Sequence, residues 1–76
     1  MNKLTLQKLN AQVVGVYLDN GDHVGNLKWI GGVWKFKAIG HEGASVVPGG
    51  GPLTDRHNTA FAVLDEAAIS AALWPA

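Results

Sequence analysis

The sequence predicts an α+β fold, a small antiparallel β-meander of about three to four strands with one C-terminal helix packed on one face. Alternating apolar and polar residues run through positions 11–39, interrupted by two tight-turn signals, Asn20-Gly21 and Gly31-Gly32. An alanine-rich segment follows Asp65, a residue type that favours the capping position at the start of a helix. Strand signals followed by one helix signal are typical of this fold class.

Length and composition predict a single domain, residues 1–76, with a core near the lower limit for independent folding. The chain has no cysteine, so its stability must come from packing or association rather than from disulfides. Hydrophobic residues make up 47% of the chain and charged residues only 16%, which predicts apolar surface beyond the core. Six basic and six acidic residues cancel, so no overall field directs the protein to nucleic acid or an anionic membrane.

The central prediction is a β-hairpin over residues 23–40, closed by Gly31-Gly32. Glycine accepts positive φ at both central positions of the turn types that match the twist of the two strands. A two-residue turn places Ile30 opposite Val33, and this pair determines the register of the hairpin. The pairs that follow are Trp29 with Trp34, Lys28 with Lys35, Leu27 with Phe36, and Asn26 with Lys37.

This register separates the side chains by chemistry. The first face contains Leu27, Trp29, Trp34, Phe36 and Ala38, and the second face contains Val24, Lys28, Ile30, Val33, Lys35, Lys37 and Ile39. Because the first face carries the aromatic rings, we expect it to be buried, with Trp29 and Trp34 facing helix residues Ile69 and Leu73. The single helix then leaves the second face uncovered.

A preceding strand over residues 11–18 extends this sheet. Closing at Asn20-Gly21 pairs Leu18 with His23, Val16 with Gly25, Val14 with Leu27, and Gln12 with Trp29. The even-numbered residues then join the first face, while Val13, Gly15 and Tyr17 join the second. Residues 3–10 fit either a strand, through Leu4 and Leu6, or one helical turn capped by Thr5, and we favour the turn.

The C-terminal half is divided by glycine and proline. We predict a loop at Gly40-His41-Glu42-Gly43, followed by a fourth strand over residues 44–48 that ends at a sheet edge with Pro48. A loop over residues 49–58 follows, with a short turn capped by Thr54. A strand or extended connector over residues 59–63 then leads to a helix over residues 66–74, which Pro75 stops. Ile69, Ala72 and Leu73 form the helix stripe expected to face the sheet.

The residues that suggest chemistry are few. Asp55, Arg56, His57 and Asn58 form the main polar cluster, and they support the alternative of a small enzyme or metal protein. Asp and Asn are also typical turn residues, and Ser45 and Ser70 fall in regular elements rather than in a strained nucleophile turn. We therefore predict no enzymatic activity and no catalytic residues.

Metal and phosphate sites are also weakly indicated. The three histidines lack metal-ligand spacing, so we expect no metal and no cofactor; a site joining His41, Glu42 and His57 across two loops is the remaining option. Gly49-Gly50-Gly51 lacks the lysine and hydroxyl that complete a phosphate-binding loop, which favours a loop with positive φ angles.

These observations favour a small non-catalytic protein-interaction module that acts through the second face. The predicted binding residues are Tyr17, Lys28, Lys35, Lys37 and Ile39, and the expected partner is a second copy of the chain or another protein. A nucleic-acid or anionic-ligand binder using the three lysines is the alternative; it is less favoured because the rings and the lysines lie on opposite faces. No apolar leader or membrane-spanning run is present, so the expected location is the cytoplasm.

Overall fold

The computed structural model describes residues 3–74 and contains an antiparallel sheet with one helix. The elements are β1 (Thr5–Asn10), β2 (Val13–Tyr17), β3 (His23–Ile30), β4 (Val33–Glu42), β5 (Ser45–Pro48), a short 3₁₀ turn (Thr54–Arg56), β6 (Ala60–Phe61) and α1 (Glu66–Leu73). The first five strands lie side by side in chain order, and β6 pairs with the beginning of β4. The predicted fold class, an α+β meander with a C-terminal helix, is confirmed.

The hairpin formed by β3 and β4 has the predicted register. All of the pairs from Ile30 with Val33 to Asn26 with Lys37 are present. Gly31 and Gly32 have φ angles of 60° and 85°, as the predicted turn requires. The local turn therefore determines which side chains of the two longest strands share a face.

The β2–β3 connection differs from the prediction by one residue. Val14 pairs with Leu27 and Val16 with Gly25 as expected, but the next pair is Tyr17 with His23, not Leu18 with His23. Val24 is the extra residue of this β-bulge, and it lies in the hydrophobic core instead of on the second face.

The prediction of a helical turn over residues 3–10 is wrong, because these residues form edge strand β1. The backbone N–H of Leu4 donates to Ser70 Oγ (3.0 Å), and that of Leu6 donates to Glu66 Oε2 (3.1 Å). Pairing with β2 on one side and helix side chains on the other satisfies the backbone of this segment. Those partners are distant in sequence, so the local helix pattern does not decide the structure.

The region after Ile39 also differs in detail. The predicted loop at residues 40–43 is largely strand, since β4 continues to Glu42 and turns at Gly43 into β5. Pro48 ends β5 at a sheet edge, as predicted. Thr54 does not cap the 3₁₀ turn, because its Oγ1 accepts a hydrogen bond from the N–H of Gly50 instead.

Helix α1 begins as predicted and packs on the first face. Asp65 Oδ1 accepts a hydrogen bond from the N–H of Ala68 (3.1 Å), which caps the helix. Ile69 and Leu73 are buried, but Ala72 is exposed and Ser70 is buried in its place. The core consists of Leu4, Val14, Val16, Val24, Leu27, Phe36, Ala38, Leu53, Ile69 and Leu73.

The two tryptophans are cross-strand neighbours, but they are not equally buried. Their ring centroids are 5.3 Å apart with planes inclined at 58°. Trp34 packs against the core, whereas Trp29 is 43% exposed, so the prediction that it faces the helix is wrong. Helix α1 is anchored at Leu4 and Leu6, and a helix of this length does not reach the Gly31-Gly32 end of the sheet.

Candidate functional site

The second face of the sheet is the surface opposite helix α1. In the structure it is formed by Val13, Gly15 and Tyr17 of β2, His23, Asn26, Lys28 and Ile30 of β3, and Val33, Lys35 and Lys37 of β4. The connection between β6 and α1 runs from the β4 side, where Phe61 pairs with Trp34, to β1, where Glu66 contacts Leu6. Both this connection and the helix therefore lie on the first face.

Tyr17 lies in a cluster of side-chain contacts on the second face. Its ring stacks on the His23 ring, with centroids 4.5 Å apart and planes at 19°. His23 Nε2 donates to Asn26 Oδ1 (2.8 Å), because a side-chain carbonyl oxygen only accepts. A Cβ placed on Gly15 would lie 2.7 Å from Tyr17 Cε1, so glycine is required for the ring to lie over β2. These contacts give Tyr17 a fixed, half-buried position on the open face.

Lys28 and Lys35 lie toward the Gly31-Gly32 end of this face, and Lys37 lies between them and the Tyr17–His23 pair. Lys28 and Lys35 are directly opposite each other on β3 and β4, and Lys37 is paired with Asn26. Lys37 Nζ donates a hydrogen bond to Asn58 Oδ1. Within residues 3–74, the ion pair present joins Lys3 Nζ and Glu66 Oε1 (3.8 Å). Lys28, Lys35 and Lys37 therefore have no acidic partner among the described residues. The lysine row is a local positive patch on a protein of zero net charge.

The apolar residues of the second face are less exposed than the sequence predicts. Ile30 is 44% exposed and Val33 is half-buried, but Ile39 is only 8% exposed. The chain over residues 49–51 returns onto the backbone of Ile39, and the N–H of Gly49 donates to the carbonyl of Ala38 (2.8 Å). Little of the Ile39 side chain is left for a partner to contact, in contrast to its predicted binding role.

The polar cluster at residues 55–58 is attached to β4 by hydrogen bonds. His57 Nδ1 accepts from the N–H of Ala38 (3.0 Å), and the N–H of Asn58 donates to the carbonyl of Phe36 (2.7 Å). Asn58 has a φ of 74°, a left-handed conformation that asparagine tolerates. Asp55 and Arg56 lie in the exposed 3₁₀ turn. His57 and Asn58 have the side chains most suited to catalysis or ligand binding in this cluster. Their hydrogen bonds instead connect the loop to β4.

The alternative metal and phosphate sites are not assembled in the described part of the chain. His41 Nε2 donates to the carbonyl of His23 (3.2 Å), while His57 contacts Ala38. Across residues 3–74, no three His, Cys, Asp or Glu side chains come together as metal ligands. The N–H groups of Gly49 and Gly50 donate to partners within the chain, so they do not point to a bound phosphate.

His23 and Asn26 are site residues that the sequence pattern did not predict. In the predicted register His23 lies opposite Leu18, on the first face. The bulge at Val24 moves His23 opposite Tyr17 and creates the stacked pair. The available signal was the five-residue connection around Asn20-Gly21, which permits more than one way of closing the hairpin.

No protein-family model matches this chain, and neither a curated protein nor a solved structure matches it. Among residues 3–74, none of the helical segments has the length and apolar character needed to cross a membrane. Because no similar protein was found, the residues of the second face are the basis for a functional proposal.

Proposed function

We propose that this chain is a small non-catalytic protein-interaction module that binds its partner through the second face. The observation that carries the proposal is the one-sided packing of the sheet: helix α1 and the connection before it both lie on the first face. Sheets of this size are normally covered on at least one face and carry polar side chains on the other. Here the open face instead holds a stacked Tyr17–His23 pair at one end and an exposed Ile30 at the other.

The composition of this face fits protein recognition. Tyrosine is enriched among the residues that contribute most to binding energy, and Tyr17 is held in place before any partner arrives. Lys28 and Lys35 are like charges in register, an arrangement that an acidic partner group would stabilise. The nature of the partner and the cytoplasmic location stay predictions from the sequence.

Site-specific photo-cross-linking in cells that naturally produce the chain tests this proposal. A cross-linking amino acid at the exposed Ile30 position probes the second face, and the same group at the exposed Ala71 position on the helix is the matched control. We expect a protein adduct from position 30 that is lost in the Lys28→Glu, Lys35→Glu variant. Adducts from position 71 alone, or from neither position, would contradict the proposal.

The lysine row also supports a second candidate, a nucleic-acid or anionic-ligand binder. Lys28, Lys35 and Lys37 have no acidic counterpart in the described residues, but the tryptophan rings needed for a stacking platform are on the opposite face. Titration with a single-stranded oligonucleotide at several salt concentrations separates the two functions. A nucleic-acid binder should show a log–log salt slope of about −0.7 for each lysine that neutralises a phosphate.

A further inference from the structure

We propose that the second face binds a second copy of this chain. The two sheets are related by a two-fold axis that lies in the plane between them and runs perpendicular to the strands. This inference rests on the proposed function of the second face and specifies its partner. It is carried by the distribution of charge along the strands.

The two ends of the sheet carry opposite charge. Lys28 and Lys35 lie at the Gly31-Gly32 end, close to the turn between β3 and β4. The opposite end carries Asp19 and Asp22 in the exposed β2–β3 connection, next to the Tyr17–His23 pair. None of these four side chains is in an ion pair with another of residues 3–74. The face therefore has a positive end and a negative end, although its net charge is close to zero.

Only one of the simple two-fold arrangements uses this polarity. An axis parallel to the strands places the lysine ends of both copies together, where like charges repel. An axis perpendicular to the strands reverses the second copy, so its Asp19–Asp22 end lies over Lys28 and Lys35 of the first. The same rotation brings the exposed Ile30 toward the Tyr17–His23 end of the second copy.

The dimensions of the face agree with a weak dimer. Strands β2, β3 and β4 contain 5, 8 and 10 residues, and at about 3.3 Å along and 4.8 Å across the strands they give an area on the order of 400 Å² for each copy. Two copies would bury roughly 800 Å² in total, which is typical of weak and transient contacts. Packed sheets lie about 10 Å apart, a gap that a lysine side chain and a facing aspartate side chain span together. Tyr17 lies flat over Gly15, so it does not hold the sheets apart.

A charge-exchange experiment tests this arrangement. We would measure the dimer dissociation constant by sedimentation equilibrium for the wild type, for Lys28→Glu, Lys35→Glu, for Asp19→Lys, Asp22→Lys, and for an equimolar mixture of the two variants. Each variant alone should dimerise at least about tenfold more weakly than the wild type. The mixture should form a heterodimer close to wild-type affinity, because each reversed end then meets a complementary end.

Two controls keep the outcome clear. Lys8→Glu changes an exposed lysine on β1 that pairs with core residue Val14, so it should leave dimerisation unchanged while Lys28→Glu weakens it. Circular dichroism should show that every variant is folded, since the backbone N–H of residue 22 still donates to Asn20 Oδ1 (2.9 Å) when the Asp22 side chain is replaced.

The inference is overturned if both variants dimerise like the wild type, or if the mixture stays monomeric. A wild type that is monomeric up to millimolar concentration also overturns it. That last result leaves the proposed function intact if the cross-linker at position 30 still captures a different protein. Absence of any adduct from position 30 would instead remove the proposed function.

Discussion

Gly50 and Gly51 have almost the same backbone conformation but different surroundings, so their substitution separates two physical effects. Their φ angles are 71° and 73°. A Cβ on Gly51 would lie 2.2 Å from the carbonyl oxygen of Ile39, whereas the atom nearest to a Cβ on Gly50 is Gly40 Cα at 4.0 Å. Alanine at position 50 therefore introduces backbone strain alone, and alanine at position 51 adds a collision with β4.

The expected magnitudes follow from these distances. A left-handed conformation costs a non-glycine residue about 1–2 kcal/mol, which is the whole expected destabilisation for Gly50→Ala. Gly51→Ala also requires a shift of the loop or of β4 to remove the collision, and overpacking of this kind adds about 1–3 kcal/mol. The total for Gly51→Ala is about 2–5 kcal/mol, a large part of the stability of so small a domain.

Urea denaturation followed by tryptophan fluorescence, together with thermal melting by circular dichroism, measures the difference. One kcal/mol shifts Tm by about 4–8 °C in a domain of this size, so Gly51→Ala should melt well below Gly50→Ala. Gly49→Ala is a second control, because φ is 70° and no atom lies within 4 Å of the added Cβ. Equal destabilisation of all three variants would refute the packing of this loop on Ile39.

Two further predictions concern the first face. Ser70→Ala removes the hydroxyl that accepts from the buried Leu4 N–H (3.0 Å), and we expect a loss of about 1–3 kcal/mol in the free energy of unfolding. Ala71→Ser, on the exposed side of the helix, is its control, and an equally small effect of both changes would contradict the role of Ser70. Trp34→Ala should cost about 2–4 kcal/mol and Trp29→Ala only about 1–2 kcal/mol, because Trp34 packs against the core and Trp29 is 43% exposed. Urea denaturation followed by circular dichroism checks this order, and a reversed order would show that the wrong ring is buried.

The candidate site was partly predictable because much of it depends on one local turn. Lys28, Lys35 and Lys37 were placed on one face from the sequence, since Gly31-Gly32 fixes the register and strand side chains alternate. Tyr17 was placed on the same face from the strand preceding Asn20-Gly21. Its stacking partner was not, because the bulge at Val24 depends on how Val24 is buried in the core.

The fold class, the central hairpin and the helix cap at Asp65 were predictable from the sequence, because these depend on residues close together in the chain. Tertiary contacts make residues 5–10 a strand, since the backbone partners of this segment are β2 and the side chains of Glu66 and Ser70. Tertiary contacts also decide which of the predicted surface residues are accessible. Ile39 is buried where the chain returns at residues 49–51, and Trp29 is exposed because helix α1 does not extend over it. Burial depends on neighbours that are distant in sequence, and local periodicity does not encode them.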